Sequence, residues 1–288
     1  MLSGRLGLDK ARIAYADRHG LIGLDYGRLE TENGCLRFLT KGGALPAGDY
    51  QIPHQALSMI LLGPGSSVTH DALRLLANHG TALVATGQDG VRLYTALLPG
   101  GGDSALSRRQ AALWASAERR IDVARKMYAL RLGKVLPHRD IEVLRGIEGA
   151  HVKGAYREAA QRFGIEWTGR HYDRTNPAAA DIPNQAINHA SSAISAAAAI
   201  AVAATAAIPQ LGFIHEDSAQ AFILDIADLF RETATLEIAF GAAKEAKSVN
   251  KTIDWLVRRH AAQIFSEKQI ISSMIDRIKD LLSKERSG

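Results

Sequence analysis

Cysteine is nearly absent from this chain. Cys35 is the one cysteine in 288 residues, which excludes an internal disulfide and fits a reducing compartment. The first twenty residues also lack the continuous apolar segment that a signal peptide requires. We therefore expect a cytoplasmic protein.

Long apolar runs are scarce as well. The strongest lies in an alanine-rich segment, residues 184–208, which we predict as a helix. Its apolar part of about sixteen residues is shorter than the ~20 needed to cross a bilayer. We expect a central, buried helix whose small side chains let its neighbours approach closely, and we expect no membrane partner.

Neither sign of charge is in large excess. Lys and Arg number 35 against 30 for Asp and Glu, and the pI is about 9.3. This balance permits an acidic partner without requiring one. A chain of 288 residues is long enough for one large domain or two of ordinary size.

Two regions of different pattern follow one another, and together they predict an α+β fold. Short apolar runs separated by Gly, Pro, Asn and Asp predict strands over residues 21–26, 35–39, 58–62, 82–86 and 91–96. A helix is predicted from Thr69, its N-cap, to His79, with Gly80 as its stop. We expect a small β-rich domain over residues 1–98, a linker over 99–104 and a larger all-helical domain over 105–288. The first domain has few candidate catalytic residues, so scaffold and oligomer contact are its expected roles.

The first helix of the second region, predicted over residues 105–132, is strongly basic. Only Glu118 and Asp122 oppose eight basic residues there and just after it: Arg108, Arg109, Arg119, Arg120, Arg125, Lys126, Arg131 and Lys134. Such a helix is usually a solvated face. The same excess of cations also suits the neutralisation of phosphates.

The segment 211–230 combines acidic and apolar residues. His215 lies in an apolar stretch, and Asp225 and Asp228 are three positions apart in what we predict to be a mostly buried helix, so they share a face. Two unpaired carboxylates in a dry interior would cost several kcal/mol. A cation must therefore be nearby, either a basic side chain or a metal. The alternative is a solvated acidic face with an arginine partner and an ordinary core histidine.

Glu148 is a fourth candidate for this site. It stands between Gly146 and Gly149, each of which costs roughly 1 kcal/mol in a helix relative to Ala. The glycines fit a close approach by another backbone or by a ligand. They equally fit a turn between helices with an exposed glutamate.

Three blocks carry a resemblance to a known family. Residues 145–149, 211–215 and 224–228 resemble the signature blocks of the CRISPR-associated integrase of the adaptation module. Aspartate at position 228, where much of that family has glutamate, resembles the type I-E branch. Supporting blocks lie at residues 25–27, 68–70, 90–94, 125–127 and 184–185, so the resemblance runs in order along nearly the whole chain.

The resemblance implies a β-sandwich-like N-terminal domain, an all-helical catalytic domain and a homodimer. At the matching positions, Glu148, His215 and Asp228 would bind one divalent ion, Mg²⁺ or Mn²⁺, with Asp225 beside it as a supporting acid. These four would be the catalytic residues. The implied reaction inserts captured DNA fragments into a CRISPR array, the 3′-OH of the fragment attacking the phosphodiester at a repeat end.

The same resemblance implies partners. Both the captured fragment and the CRISPR repeat are double-stranded DNA, with Tyr26 stacking where the captured duplex splays and Arg74, Arg92 and Arg258 near the backbone. A small second adaptation protein would bridge two dimers.

One departure from the family pattern is local. Glu216 and Asp217 follow His215 directly and add negative charge beside the predicted metal. Two other functions remain open: a stand-alone structure-specific nuclease acting in DNA repair, and a non-catalytic DNA-binding scaffold, which predicts metal-independent binding without turnover.

Overall fold

Strands occupy the first third of the chain and helices the remainder in the computed structural model, which describes residues 20–43, 45–95, 104–171 and 180–283. The strands are β1 (Gly20–Leu24), β2 (Gly27–Glu32), β3 (Cys35–Thr40), β4 (Gly48–Ile52), β5 (Leu57–Leu62), β6 (Ser67–Val68) and β7 (Ala82–Ala85). Helix α1 (His70–His79) lies between the last two. The predicted α+β class, with the β-rich region first, is confirmed.

The strands form two sheets. In one sheet β5 pairs in parallel with β1 on one side and with β7 on the other. In the other, β3 pairs antiparallel with β2 and β4, and β6 adds to β2 in parallel. Leu36 and Phe38 of β3 alternate with more exposed residues, as expected of a sheet with one buried face.

Both sheets and α1 contribute to a single apolar core. Leu29 and Phe38 from the four-stranded sheet meet Leu24 and Ile60 from the three-stranded sheet, with Leu76 of α1 against them. A fully buried side chain of this kind stabilises the fold by about 1.5–3 kcal/mol. The two sheets and α1 thus enclose one apolar core.

Helix α1 has the ends that the sequence predicted. The Thr69 side chain accepts a hydrogen bond from the backbone N–H of Ala72 at 3.3 Å. Gly80 follows the last turn with φ of +67°, a left-handed conformation that glycine adopts without steric cost.

Three strands were not predicted, and one predicted strand is wrong. Strands β2, β4 and β6 carry many polar residues or are very short, so they lack the apolar run that identified the others. In place of a strand over residues 91–96, the described residues 91–95 contain only an isolated bridge from Thr86 to Leu93; residue 96 lies outside the described ranges.

The second region contains α2 (Ala105–Trp114), α3 (Ala117–Leu132), α4 (Ile141–Phe163), α5 (Ile182–Ala204), α6 (Ala221–Asp228), α7 (Leu236–Glu245), α8 (Ile253–Glu267) and α9 (Ile270–Leu282). The single helix predicted over residues 105–132 is wrong, because Ser116 adopts an extended conformation and caps α3. The predicted linker over residues 99–104 lies outside the described residues except for Ser104.

Helix α5 is the central element. It packs against α6, α7, α8 and α9, and alanines such as Ala197 and Ala201 are fully buried at these contacts. Among the described helices it alone is long and apolar enough to cross a membrane, yet 61% of its most apolar window is buried within the fold. That burial is typical of a core helix. It ends at Ala204, ahead of Pro209, rather than at the predicted residue 208.

The parallel sheet also packs against the helical region. Met59, Leu61 and Val84 belong to the large core formed by the helices, whereas Ile60 of the same sheet faces the smaller core. The three-stranded sheet is therefore buried on both faces, which explains its continuous apolar sequence. The turn at Gln88–Gly90, which follows β7, packs against α8.

Candidate active site

Asp225 holds together the loop that carries His215. The carboxylate is buried, with 1% of the residue exposed. Its Oδ2 accepts the backbone N–H of Phe213 at 2.6 Å and of Ile214 at 3.1 Å. Its Oδ1 accepts the backbone N–H of His215 at 3.0 Å and lies 2.7 Å from His215 Nδ1. Both oxygens are thus engaged, so Asp225 is placed as a support rather than as a metal ligand.

Helix α2 and a glycine shape the same loop. Gln110 and Trp114 donate side-chain hydrogen bonds to the carbonyl oxygens of Leu211 and Gly212 at 2.9 and 3.0 Å. A Cβ atom on Gly212 would lie 2.2 Å from the carbonyl oxygen of His215, so only glycine fits here. The predicted buried helix therefore begins only at Ala221, and His215 lies on a braced loop before it.

His215 presents its second nitrogen to Asp228. Because a carboxylate only accepts hydrogen bonds, Asp225 fixes the proton on Nδ1. The remaining nitrogen, Nε2, lies 3.9 Å from Asp228 Oδ2. The hydrogen bond that His215 Nδ1–H donates to Asp225 raises the pKa of His215 above its ordinary value, against the lowering effect of burial, and the charges of Asp225 and Asp228 add to the rise.

Arg131 brings Glu148 and Asp228 together. Its guanidinium forms an ion pair with the Glu148 carboxylate, and Nη2 lies 3.3 Å from Asp228 Oδ2. The three side chains are 7%, 13% and 18% exposed respectively. Arg231, which begins a π-helical turn directly after α6, pairs with Asp228 from the other side. The four residues predicted for the site therefore surround one place in the helical region; their catalytic roles stay predictions.

The side chains of Glu148, His215 and Asp228 offer donor atoms of the kind that the divalent ion implied by the family pattern requires. Two carboxylates and an imidazole Nε2 suit Mg²⁺ or Mn²⁺, and an Nδ1 held by a carboxylate is the usual outer contact of a metal-binding histidine. In the described part of the chain, however, no three His, Cys, Asp or Glu side chains are grouped closely enough to hold a metal ion. The chemistry fits, while Arg131 occupies the position between the carboxylates of Glu148 and Asp228.

A cavity of about 270 Å³ adjoins these residues and is lined in part by Arg131, Glu148, Asp228 and Arg231. At its edge His151 and Glu232 are paired, with Nε2 and Oε1 2.7 Å apart. His151 lies about one turn beyond Glu148 on α4, and Glu232 lies in the π-helical turn that follows α6. The charged centre therefore borders a cavity on this side.

The glycines beside Glu148 do not form a turn. Gly146 and Gly149 both lie within the unbroken α4, so the predicted turn between helices is wrong. A Cβ atom on either would meet nothing within 4 Å, so close approach by another described segment is wrong too. Of the explanations considered for Gly146 and Gly149, the approach of a ligand to this face of α4 stays a prediction.

Glu216 turns towards a different cation. Its carboxylate lies 3.5 Å from Arg120 Nη1 on α3, and the guanidinium of Arg120 in turn lies over the Trp114 ring, 5.6 Å from its centroid. The negative charge that the sequence placed beside His215 is thus partly balanced by α3.

Two of the predicted DNA-binding residues meet at Asp254 of α8. Arg92 Nη2 lies 2.5 Å from Asp254 Oδ1, and Arg258 Nη2 lies 3.0 Å from Oδ2. His189 of α5 is 3.5 Å from the same carboxylate. All four residues line a cavity of about 470 Å³ between the turn after β7 and the helices.

The other two predicted DNA-binding residues lie in the β-rich region. Tyr26 is 46% exposed and has φ of +53° between β1 and β2, with its ring against Gly65. Arg74 is on the exposed side of α1, 2.9 Å from Asp71. Neither belongs to the cluster around Asp254.

Sequence reasoning missed the site's two arginines. Arg131 was counted among the basic residues of a solvated or phosphate-binding helix, yet only 7% of its side chain is exposed. Arg231 follows Asp228 by three positions, a spacing at which side chains on a helix meet, so that pairing was recognisable in the sequence. No local signal distinguished Arg131 from its basic neighbours.

The chain resembles curated relatives over most of its length. It is 34% identical over 272 residues to the CRISPR-associated endonuclease Cas1 of Escherichia coli (strain K12), covering 94% of this chain and 87% of the relative. The corresponding protein of Geobacter sulfurreducens is 32% identical over 273 residues, with 94% and 87% covered.

Solved structures give the same result. A TtCas1–DNA complex superposes with a TM-score of 0.81 and 28% identity, covering 93% of this chain and 97% of the other. A casposase bound to an integration product has a TM-score of 0.65 at 15% identity, covering 93% and 96%, which is a likeness of fold alone.

Fold and site together define an α+β protein whose helical part carries a carboxylate–imidazole centre braced by two arginines. The family model described as CRISPR associated protein Cas1 matches residues 22–136 and 130–259. The chain belongs to the Cas1 family. The family resemblance found in the sequence is therefore confirmed, and the assignment to the type I-E branch stays a prediction.

Proposed function

We propose that this protein is a divalent-metal-dependent integrase that inserts captured DNA fragments into a CRISPR array. The observation that carries the proposal is the convergence of Glu148, His215 and Asp228, from three separate segments, on one partly buried centre. Membership of a family whose curated relatives are named endonucleases supports chemistry on phosphodiesters. The reaction is attack by the 3′-OH of the fragment on a phosphodiester at the repeat end.

Glu148, Asp228 and His215 Nε2 would hold the ion, either Mg²⁺ or Mn²⁺. When bound, such an ion polarises the scissile phosphate and stabilises charge on the attacking or departing 3′ oxygen. Asp225 keeps the proton on His215 Nδ1 and so directs the lone pair of Nε2 into the site. Arg231, beside Asp228 and lining the cavity, is placed to contact a phosphate oxygen.

The DNA path follows from the exposed basic residues. Arg92 and Arg258 lie on one surface with His189, where they would contact the phosphate backbone. Tyr26, exposed at the end of β1, would stack where the captured duplex splays. Arg74 would contact the backbone near α1.

The wider assembly belongs to the same proposal. The type I-E assignment rests on Asp228 and is supported by the similarity to the Escherichia coli relative. A homodimer, a small second adaptation protein that bridges two dimers, and a cytoplasmic location follow from the family pattern. A TtCas1–DNA complex among the solved relatives supports DNA as the ligand, and the double-stranded form of the captured fragment and the repeat follows from the family pattern.

The test is an integration assay with 3′-OH duplexes and a repeat-containing plasmid, with Mn²⁺ and with and without the partner protein. Asp228→Ala and His215→Ala should abolish strand transfer while the fold and most DNA affinity remain. Asp276→Ala and His138→Ala, at exposed positions away from the site, are the matched controls. Unchanged integration by either site variant would contradict the proposal.

The same assay separates the other functions. A repair nuclease would cleave branched DNA without joining the duplex to the plasmid. A non-catalytic scaffold would bind DNA equally with Mn²⁺ or with EDTA and would give no product in any arm.

A further inference from the structure

Arg131 differs from every other basic residue that α3 contributes. Its side chain is 7% exposed, and its guanidinium lies over the Tyr128 ring, 6.0 Å from the centroid. It reaches both Glu148 on α4 and Asp228 on α6. A single cation thus links the two carboxylates that the proposed function assigns to the metal.

The two carboxylates assigned to the metal already have cations against them. Glu148 and Asp228 carry two negative charges, and Arg131 and Arg231 carry two positive charges on the same carboxylates. Asp225, on the far side of His215, adds a third negative charge, so a divalent ion added with both arginines in place would leave an excess of one positive charge in a partly buried place, which is unfavourable. Either an arginine must leave the carboxylates, or an anion must enter with the metal.

The two arginines are not equivalent in this respect. Arg231 contacts Asp228 and is 29% exposed, so it can turn towards the cavity without breaking the link between the carboxylates. Arg131 contacts both carboxylates and occupies the position between them. It is therefore the cation that a metal has to displace.

We propose, on the basis of the proposed function, that Arg131 is a positioning residue that competes with the divalent ion for Glu148 and Asp228. In the metal-free protein its guanidinium keeps the two carboxylates together. A DNA phosphate that binds the guanidinium releases the carboxylates of Glu148 and Asp228. Each of the two ligands, metal and DNA, then increases the affinity of the protein for the other. The site then takes up its metal chiefly when substrate is present.

The test measures Mn²⁺ binding to the DNA-free protein by calorimetry, without any activity readout. Arg131→Gln should bind Mn²⁺ about tenfold more tightly than wild type, the scale typical of changes around metal ligands. Arg119→Gln is the matched control on the same helix, because Arg119 is exposed in the first turn of α3, far along the helix from Arg131. Its Mn²⁺ affinity should equal that of wild type.

A second variant controls for misfolding of Arg131→Gln. Arg131→Lys keeps a positive charge but cannot form the same two-sided contact, so its Mn²⁺ affinity should fall between those of wild type and Arg131→Gln. Addition of a duplex should tighten Mn²⁺ binding by wild type and should have less effect on Arg131→Gln. Equal Mn²⁺ affinity in all Arg131 variants, or weaker binding by Arg131→Gln, would overturn the competition.

Failure of the proposed function has a different signature. Mn²⁺ binding that survives Asp228→Ala unchanged would remove the metal from this centre altogether. Binding that depends on Asp228 but is insensitive to position 131 would leave the proposed metal site intact and reject only the role of Arg131.

Discussion

Two clusters of mixed charge in this protein have opposite compositions. At the candidate site one cation, Arg131, is shared by two carboxylates and is 7% exposed. At the surface one carboxylate, Asp254, is shared by Arg92 and Arg258, which are 47% and 43% exposed, and by His189. The cation of the first cluster is largely shielded from solvent, whereas the cations of the second are about half exposed.

Burial decides what each cluster contributes. Breaking a buried ion pair by removing one partner costs about 3–5 kcal/mol, because the other charge is left without compensation. An exposed pair contributes about 0–1 kcal/mol, because water and salt screen it. The ion pairs at Arg131 are therefore expected to stabilise the fold. The arginines at Asp254 are expected to be able to pair with a phosphate instead, at little cost in stability.

The largest expected effect is at Asp225, the most buried member of the site. Asp225→Asn replaces one accepting oxygen by an NH₂ group that faces backbone N–H donors. We expect the free energy of unfolding to fall by about 3 kcal/mol and integration to be lost. Urea denaturation of the metal-free protein measures the first effect.

Asp276→Asn, at an exposed position on α9, controls for the chemical change itself. It should leave the urea midpoint and integration unchanged. An Asp225→Asn protein as stable as this control would mean that the loop before α6 does not depend on its buried carboxylate.

A pair of glycines provides the next contrast. Gly212→Ala places a Cβ atom 2.2 Å from the carbonyl oxygen of His215, so we expect a loss of about 1–3 kcal/mol from overpacking and displacement of the His215 loop. Gly149→Ala meets open space in α4 and should stabilise the fold by up to about 1 kcal/mol through helix propensity.

Thermal melts together with DNA-binding assays sharpen this contrast. A stabilised Gly149→Ala protein that binds DNA less well would show that a ligand approaches α4 beside Glu148. Normal DNA binding would remove the last explanation for glycine there. Gly212→Ala melting with the wild type would contradict the tight packing of the loop.

Features that depend on neighbouring residues alone could be predicted from the sequence. The caps of α1 at Thr69 and Gly80 and the α+β order follow from residue type and spacing, whereas the expectation that Glu148 joins His215 and Asp228 came from the family resemblance. The polar strand β2 was missed, because its exposed side chains hide the alternation. The break at Ser116 was missed, because the basic residues continue across it.

The identity of the counter-cation was beyond local reasoning. The buried carboxylates required a positive partner, and the choice between a metal and an arginine was left open. Arg131 comes from a helix that precedes Glu148 by only a short connection and Asp228 by almost a hundred residues. Tertiary packing of α3 against α4 selects it from among its basic neighbours, and no sequence pattern encodes that selection.

Acidity provides a smaller test of the site. Because Asp225 raises the pKa of His215 above 6.5 in the folded protein, the protonated histidine stabilises the fold below pH 6.5, and this contribution is lost as the pH rises through the folded pKa. The difference in unfolding free energy between the metal-free wild type and His215→Gln should therefore shrink from pH 6 to pH 8. A difference that grows with pH would contradict the pairing of His215 with Asp225.

The smallest expected effect on stability is at the surface cluster around Asp254, and it tests whether the two clusters differ as proposed. Asp254→Asn removes the one carboxylate that Arg92, Arg258 and His189 share, so these cations become available to phosphates. DNA affinity should rise by a few fold, with a salt dependence steeper by about one counterion, and stability should change by less than about 1 kcal/mol. Asp71→Asn, which releases Arg74 in the same way on α1, tests whether any freed arginine suffices. A rise in DNA affinity for Asp254→Asn but not for Asp71→Asn would locate the DNA path over α8. A fall of more than about 1 kcal/mol in the free energy of unfolding of Asp254→Asn would show that the Asp254 cluster, like the one at Arg131, stabilises the fold.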